Sequence, residues 1–296
     1  MKSFNLPRKV KLGIIGGSGL YKIPGLKNAN WADMASPFGK PSDQFLSGTL
    51  AGLDIVFLPR HGRGHIHAPS TINFRANIDA FKQLGVTEII SLSAVGSLRQ
   101  DIKPGSFVIV DQFIDQTYLR ENTFFTSGCV AHVSMAKPVC NRLSEKIYSA
   151  AKKITDLKLH RGGTYIVIEG PQFSTFAESN LYRKSGFSVI GMTNMPEAKL
   201  AREAEICYST VGMVTDYDCW HPDHEAVTVD KVISCVNENA HKAKSLIRLL
   251  AESIETERSY CKSGCDTALK DAFMTDASIE RPETKAQLSA IIEKYL

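Results

Sequence analysis

The sequence contains no apolar run approaching the ~18 residues a membrane-crossing helix needs, which excludes a helical membrane protein. It has no run of three basic residues, and a formal net charge of +4 with a pI near 8.6 is mild. Nothing therefore marks the clustered Lys/Arg footprint of a nucleic-acid binder. The apolar stretch behind the basic N-terminus runs only from Leu12 to Ile15 before glycines intervene. That is too short for a secretory h-region, so no signal peptide and a cytoplasmic setting are expected. Linkers rich in proline and serine, and internal repeats, are missing too. The seven cysteines (Cys129, Cys140, Cys207, Cys219, Cys235, Cys261, Cys265) are an odd number in a chain without a leader, which argues for a reducing compartment and mostly free thiols. Cys261 and Cys265 are the only close pair along the chain, and no second such pair supplies a zinc site, so free thiols are expected there. No cysteine sits in a pattern that suggests a nucleophile.

What remains is an ordinary globular composition: 296 residues, 43% hydrophobic and 22% charged, enough for a sizeable core. Segments 10–15, 55–58, 88–92, 107–110, 165–168, 188–192 and 207–214 read as strands, several apolar on both faces, as strands covered by helices on both sides must be. Helical spacing appears at 71–84, 141–155, 175–185, 196–205 and 229–254. Pro196 fits a first-turn position, with Glu197 favourable at the positive helix end. Such alternation predicts an α/β layered fold around one sheet. The pattern turns polar late, at 256–265, before two short helical stretches at 266–274 and 282–295. This predicts one catalytic domain over 1–255 and a helical tail over 256–296, packed on the domain or on a neighbouring subunit.

Four strand exits carry chemistry. Gly16-Gly17-Ser18-Gly19 suits close backbone approach to an anion, although it also reads as a tight turn. Its spacing is neither the dinucleotide G-x-G-x-x-G nor a P-loop. Arg60 and His61 leave a strand end where α/β sheets bind ligands, and Arg60 offers a planar fork of donors matched to phosphate. A metal site at His61, His65 and His67 is disfavoured, because no carboxylate completes it and two glycines loosen the loop. Ser93-Ala94-Val95-Gly96 offers further hydroxyl donors. Beyond the fourth exit lie Asp216 and Asp218, which point to one side if the extended conformation continues. Two such carboxylates cannot both ionise cheaply, so one is suited to give a proton to a leaving group. A solvated acidic loop is the alternative. His221-Pro222-Asp223-His224-Glu225 is not a zincin motif, since Pro222 breaks the required helix and the order is wrong.

Taken together, Gly16-Gly17-Ser18-Gly19, Arg60-His61-Gly62, Ala94-Val95-Gly96-Ser97, Glu169-Gly170-Pro171-Gln172-Phe173, Gly191-Met192-Thr193-Asn194-Met195-Pro196-Glu197 and Thr215-Asp216-Tyr217-Asp218 occur in an order that resembles the trimeric nucleoside phosphorylases, nearest to the methylthioadenosine-cleaving branch. The resemblance covers residues 9–250 and does not extend into the tail. It implies an α/β fold with a mixed, partly barrel-like central sheet flanked by helices. It further implies a homotrimer with sites near subunit interfaces, and inorganic phosphate as co-substrate with neither metal nor organic cofactor. Ser18, Arg60, His61, Ser93, Ala94 and Thr193 match the family's phosphate site, with Ser18 and Ser93 standing where Thr is usual. Met192 matches the ribose contact, Phe173 and Ser174 the base pocket, and Asp216 and Asp218 the groups at the purine. Val229 and Val232 match the methylthio pocket, and His132 a residue reaching in from the adjacent subunit.

Family members preferring 6-oxopurines carry Glu at the position of Ser174 and Asn at that of Asp216. The residues here therefore point to a 6-aminopurine nucleoside with a thioether, cleaved by phosphate. A phosphorylase for adenosine or inosine is the near alternative and a non-catalytic nucleotide-binding module the distant one; a dinucleotide-dependent oxidoreductase is disfavoured by the glycine spacing. Glu169, Pro171 and Glu197 read as framework, since turn prolines and helix-start glutamates have ordinary local roles. No nucleic-acid or membrane partner is expected.

Overall fold

In the computed structural model, which describes residues 9–17, 19–222, 229–276 and 281–295 (without the side chains of 229–234), the two-faced apolar runs become central strands. The first half supplies β1 (Lys11–Gly16), β2 (Lys27–Ala32), β3 (Phe45–Leu50), β4 (Leu53–Pro59), α1 (Phe74–Gln83), β5 (Glu88–Ser97), β6 (Phe107–Val110) and β7 (Gln112–Gln116). There follow α2 (Asn141–Ala151), β8 (Leu159–Arg161), β9 (Thr164–Ile168), α3 (Phe176–Lys184), β10 (Val189–Gly191), α4 (Glu197–Glu203) and β11 (Cys207–Asp216). The chain ends with α5 (Val229–Ser253), α6 (Pro282–Gln287) and α7 (Ser289–Ile292). All seven expected strands are present, and β2, β3, β7 and β8 are additional. Pro196 precedes α4 rather than opening its first turn.

One mixed sheet contains all eleven strands, in the order β2-β3-β4-β1-β5-β10-β9-β7, with β11, β6 and β8 forming a second arm from β5. The arms are rejoined where β6 runs through Asp111 into β7. Barrel-like character is confined to that junction; as a whole the sheet is open and mixed, with β2 on an edge, rather than the partly closed barrel that the resemblance implied.

Helices cover both faces. Residues of α1, α4 and α7 enclose one apolar core, around Phe81, Leu200 and Ile291, and residues of α2 and α5 enclose the other, around Leu143, Ile147 and Leu246. β11 lies between them, touched by α4 on one side and by α2 and α5 on the other, so every residue from Cys207 to Thr215 is buried. The helix starts obey local rules: the Asn73 side chain accepts from the Ala76 N–H, and Thr175 with Glu178 forms a reciprocal capping box at α3. Beyond residue 256 the chain contributes Leu269, Leu288 and Ile291 to the first core, and Phe273 pairs with Ala131 in an isolated bridge. No helix of the described residues is long and apolar enough to cross a membrane.

The four strands β4, β1, β5 and β11 run parallel as successive neighbours. Their C-terminal ends therefore open at one edge of the sheet, the usual place for ligands in such folds.

Candidate active site

The backbone brings the strand exits together first. The Arg60 N–H donates to the Gly16 carbonyl at 2.9 Å, joining the glycine turn to the Arg60-His61 loop. Ser93 and Ala94 pair with Gly212 and Met213 across β5 and β11, and Asp216 pairs with Gly96 after a register shift. At Gly96 a side chain is excluded, because a Cβ there would lie 2.9 Å from Asp216 Oδ1.

Arg60 is 2% exposed and nearly all of its donors are committed. Its Nε donates to Glu197 Oε2 at 2.9 Å and its Nη2 to Ser91 Oγ at 2.6 Å and Glu197 Oε1 at 3.4 Å. Nη1 donates to the Leu92 carbonyl at 3.1 Å. A guanidinium has five N–H groups, so one, on Nη1, is left for an anion. Glu197 also accepts from Ser91 Oγ at 2.6 Å and Tyr208 Oη at 2.8 Å. The residue expected to be framework is thus the counter-charge of the expected phosphate ligand. Nearby, Ser93 Oγ and Thr193 Oγ1 are 3.0 Å apart and both buried, while Ala94 is exposed.

His61 is a special donor–acceptor. Its Nδ1 lies 2.9 Å from the His67 carbonyl, which can only accept, so Nδ1 carries the proton. Burial, aided by the neighbouring charges of Arg60 and His65, pushes its pKa down to about 3 against the upward pull of that hydrogen bond. The ring is neutral at pH 7 and its Nε2 is an acceptor. It stacks on His65 with centroids 4.2 Å apart.

At the far end of the cleft, strand geometry ends at Asp216, and Asp218 takes a left-handed φ of 52°. The extended conformation assumed for the aspartate pair is therefore absent. The turn instead lets Asp216 Oδ1 accept from the Asp218 N–H at 2.7 Å, while Oδ2 accepts from Thr215 Oγ1 at 2.6 Å. Burial raises the Asp216 pKa against both hydrogen bonds. Burial also raises Asp218, against the nearby Ser179 hydroxyl and with the charge of Asp216 adding to the rise. Asp218 Oδ2 and Ser174 Oγ are both buried without a hydrogen-bond partner among the described residues. Unpaired buried polar atoms are costly, and on this side of the cleft they suit a ligand that both donates and accepts.

A second buried ion pair shapes the floor. Arg120 donates to Glu169 Oε1 at 2.9 Å and to the carbonyls of Met192 (2.7 Å), Met195 (2.6 Å) and Glu169 (2.7 Å). Burial alone would raise Glu169, but hydrogen bonds from Ser70, Tyr118, Leu119 and Arg120 hold it at about 2. The half-buried Met192 is thereby positioned by a residue that no sequence motif flags. Phe173 stands 49% exposed. His132 is exposed, and its N–H donates to the Ala272 carbonyl at 2.8 Å; among the described residues no hydrogen bond joins it to the other expected site residues. Ser18 lies outside the described residues, as do the side chains of Val229 and Val232 at the start of α5.

Comparison with known proteins gives a match to the phosphorylase superfamily over residues 11–252. The chain is 54% identical to the S-methyl-5′-thioadenosine phosphorylase of Cereibacter sphaeroides over 288 residues, covering 97% of this chain and 99% of that one. It is 56% identical to the protein of the same name from Bradyrhizobium diazoefficiens, covering 96% and 98%. Among solved structures, a methylthioadenosine phosphorylase from an Antarctic soil metagenomic library superposes with a TM-score of 0.88 at 45% identity, covering 96% and 99%. A single-site mutant of the adenosine/methylthioadenosine phosphorylase of Schistosoma mansoni, in complex with adenine, gives 0.78 at 38% identity, covering 82% and 91%.

The buried, neutral His61 has a consequence for stability. Its folded pKa lies below the ordinary value of 6.5, so as pH falls from about 6.5 toward 3 the unfolded chain takes up a proton that the folded chain refuses. Stability is lost across that window. Between pH 7 and pH 5, denaturant unfolding of the wild type should lose about 1–2 kcal/mol more than His61→Gln. Equal losses in the two proteins would show that His61 is not held neutral.

Proposed function

The chain belongs to the phosphorylase superfamily, and we propose that it cleaves the N-glycosidic bond of 5′-methylthioadenosine with inorganic phosphate, giving adenine and 5-methylthioribose 1-phosphate. The observation that carries this reading is a half-buried acid, Asp216, with a raised proton affinity, on the strand next to the Ser93–Thr193 hydroxyl pair. The relatives' names support it.

Phosphate binds between Ser18, the remaining Arg60 N–H, the Ser93 and Thr193 hydroxyls, the Ala94 N–H and His61. Because His61 is neutral with Nδ1 committed, Nε2 accepts the P–OH of a protonated phosphate. Adenine stacks on Phe173, with Ser174 and Asp218 supplying its polar contacts and Met192 lying along the ribose. Asp216 protonates a ring nitrogen of the base as the C1′–N9 bond breaks. Positive charge develops on the ribosyl ring, as in glycoside cleavage generally, and the phosphate anion stabilises it before its oxygen bonds to C1′. The rate comes from positioning and fixed charges, with no protein nucleophile, organic cofactor or catalytic metal in the scheme.

The resemblance assigns the methylthio group to Val229 and Val232, whose side chains are both apolar. A 5′-hydroxyl there would lose its hydration without gaining a partner, at a cost of about 1–3 kcal/mol. Adenosine is the second reading, because the Schistosoma neighbour is an adenosine/methylthioadenosine phosphorylase.

The large apolar side chains Tyr118, Leu119, Phe173 and Phe176 are all exposed beside the cleft, which supports burial against a second subunit that delivers His132. Sedimentation equilibrium should give three times the chain mass of 32.6 kDa, and a monomer at micromolar concentration would sink the shared-site arrangement.

Incubation with methylthioadenosine should release free adenine only when phosphate is present, and adenosine should react roughly tenfold or more slowly in kcat/KM. Release in phosphate-free buffer would mean a hydrolase, and faster cleavage of adenosine or inosine would favour the second reading.

Asp216→Ala should lower kcat by about 10²–10⁴-fold while phosphate still binds, as isothermal titration would register. Near-normal turnover in that variant would remove Asp216 from the role of acid.

A further inference from the structure

Away from the cleft, Cys140, Cys207, Cys261 and Cys265 are buried together, and their Sγ atoms all lie within 4.8 Å of one another. Along the chain these residues are far apart, apart from the single close pair, and the fold supplies the second pair that sequence spacing lacks. Cys140 immediately precedes α2, and Cys207 is the first residue of β11. Cys261 and Cys265 flank a tight turn in the tail, in which Gly264, at a left-handed φ of 68°, donates its N–H to the Cys261 carbonyl at 2.8 Å.

We propose that these four cysteines form a structural site for one thiophilic divalent cation, zinc. Tetrahedral zinc with bonds of about 2.3 Å places its four sulfurs about 3.8 Å apart. Cys140 Sγ and Cys261 Sγ are 3.5 Å apart, and the other pairs need only small inward movements. An iron–sulfur cubane would hold its thiolates farther apart than this. Four sulfurs complete a zinc shell and leave no open position, so the site is structural rather than catalytic.

The surroundings suit the charge of the complex. Zinc with four thiolates carries a net charge of −2. Arg142 Nη2 lies 3.5 Å from Cys207 Sγ, and Arg202 Nη1 lies 3.4 Å from Cys265 Sγ. Arg142 is shared with Glu88, so its compensation is partial. Cys140 stands at the positive end of an eleven-residue helix, which favours a thiolate further. The Cys261 N–H donates to Asp266 Oδ2 at 2.9 Å, fixing the turn that presents the second pair. Paired as two disulfides, the sulfurs would be neutral and would offer Arg202 no charge to face.

The ion would join the tail to α2 and β11. That tail holds the segment bearing His132 through the Ala131–Phe273 bridge and the bond from the His132 N–H to Ala272. A site far from the cleft thereby sets the position of the residue that the proposed trimer shares.

The test uses full-length, tag-free protein prepared under reducing conditions and without chelator. Elemental analysis should find one zinc per chain, released as a mercurial titrates four thiols. Cobalt exchanged into the protein should give the intense visible bands of tetrahedral thiolate coordination. Cys261→Ser should lower zinc occupancy at least tenfold, whereas Cys129→Ser, outside the cluster, should keep it. If Cys261→Ser fails to fold, the wild-type zinc content and cobalt spectrum decide. Metal-free wild type that gives no cobalt spectrum, iron in place of zinc, or an intact mass showing two disulfides would overturn the proposal.

Discussion

Arg60 is a full positive charge held at 2% exposure, and burying it without an anion would cost far more than the fold's margin of stability. Glu197, equally buried, supplies that anion at 2.9 Å. Because a buried pair recovers its desolvation cost only when its remaining donors and acceptors are satisfied, the surroundings are constrained as well. Ser91 and Leu92 of β5, and Tyr208 of β11, have to present oxygens to the pair at defined positions. The interaction therefore fixes the end of β4, the middle of β5, the start of α4 and the start of β11 relative to one another. Those are the elements whose exits make the cleft. Stability and preorganisation come from the same bonds, since a guanidinium so held cannot swing away when an anion arrives.

Burial then sets the protonation states at the two ends of the cleft, in opposite senses. At His61 it suppresses the proton, giving a neutral ring with a fixed tautomer. At Asp216 it raises the proton affinity of the carboxyl. Burial thus shifts the proton affinities of the two groups in opposite directions. Arg120 and Glu169 act on the segment before α4, where a charge pair holds the backbone around Met192.

Much of this was readable from residues alone, and what was not has identifiable causes. The strands that form the centre of the sheet are apolar on both faces, so a continuous run betrays them. β2 is Lys-Asn-Ala-Asn-Trp-Ala, mostly exposed, with Asn28 at φ 53°, and such an edge strand has no pattern to read. β3 is interrupted by Gly48, and β8 is three residues long. Arg60, His61 and Ser93 stood out because they follow apolar runs abruptly, whereas Thr193 was named by the resemblance alone. Glu197 was legible as a helix-start glutamate, but its partner is 137 positions away, and no local rule links the two. Arg120 sits in an irregular segment and acts on backbone carbonyls, which have no signature in sequence. The aspartate pair was legible in identity and misread in geometry: the alternation rule ends where β11 does, and Asp218 turns left-handed.

β11 draws these strands of reasoning together. Its first residue, Cys207, lies in the sulfur cluster with the tail, and its last is the half-buried Asp216. Between them the strand is buried on both faces and hydrogen-bonded to β5 and β6 on either side. A strand held in this way transmits displacement rather than absorbing it, since close-packed interiors have little slack. Clamping Cys207 restrains how far β11 slides along β5, and that register sets the approach of Asp216 to Gly96, where a Cβ would already be too close. The tail is therefore more than an appendage to the catalytic unit. It meets one end of the strand whose other end is Asp216.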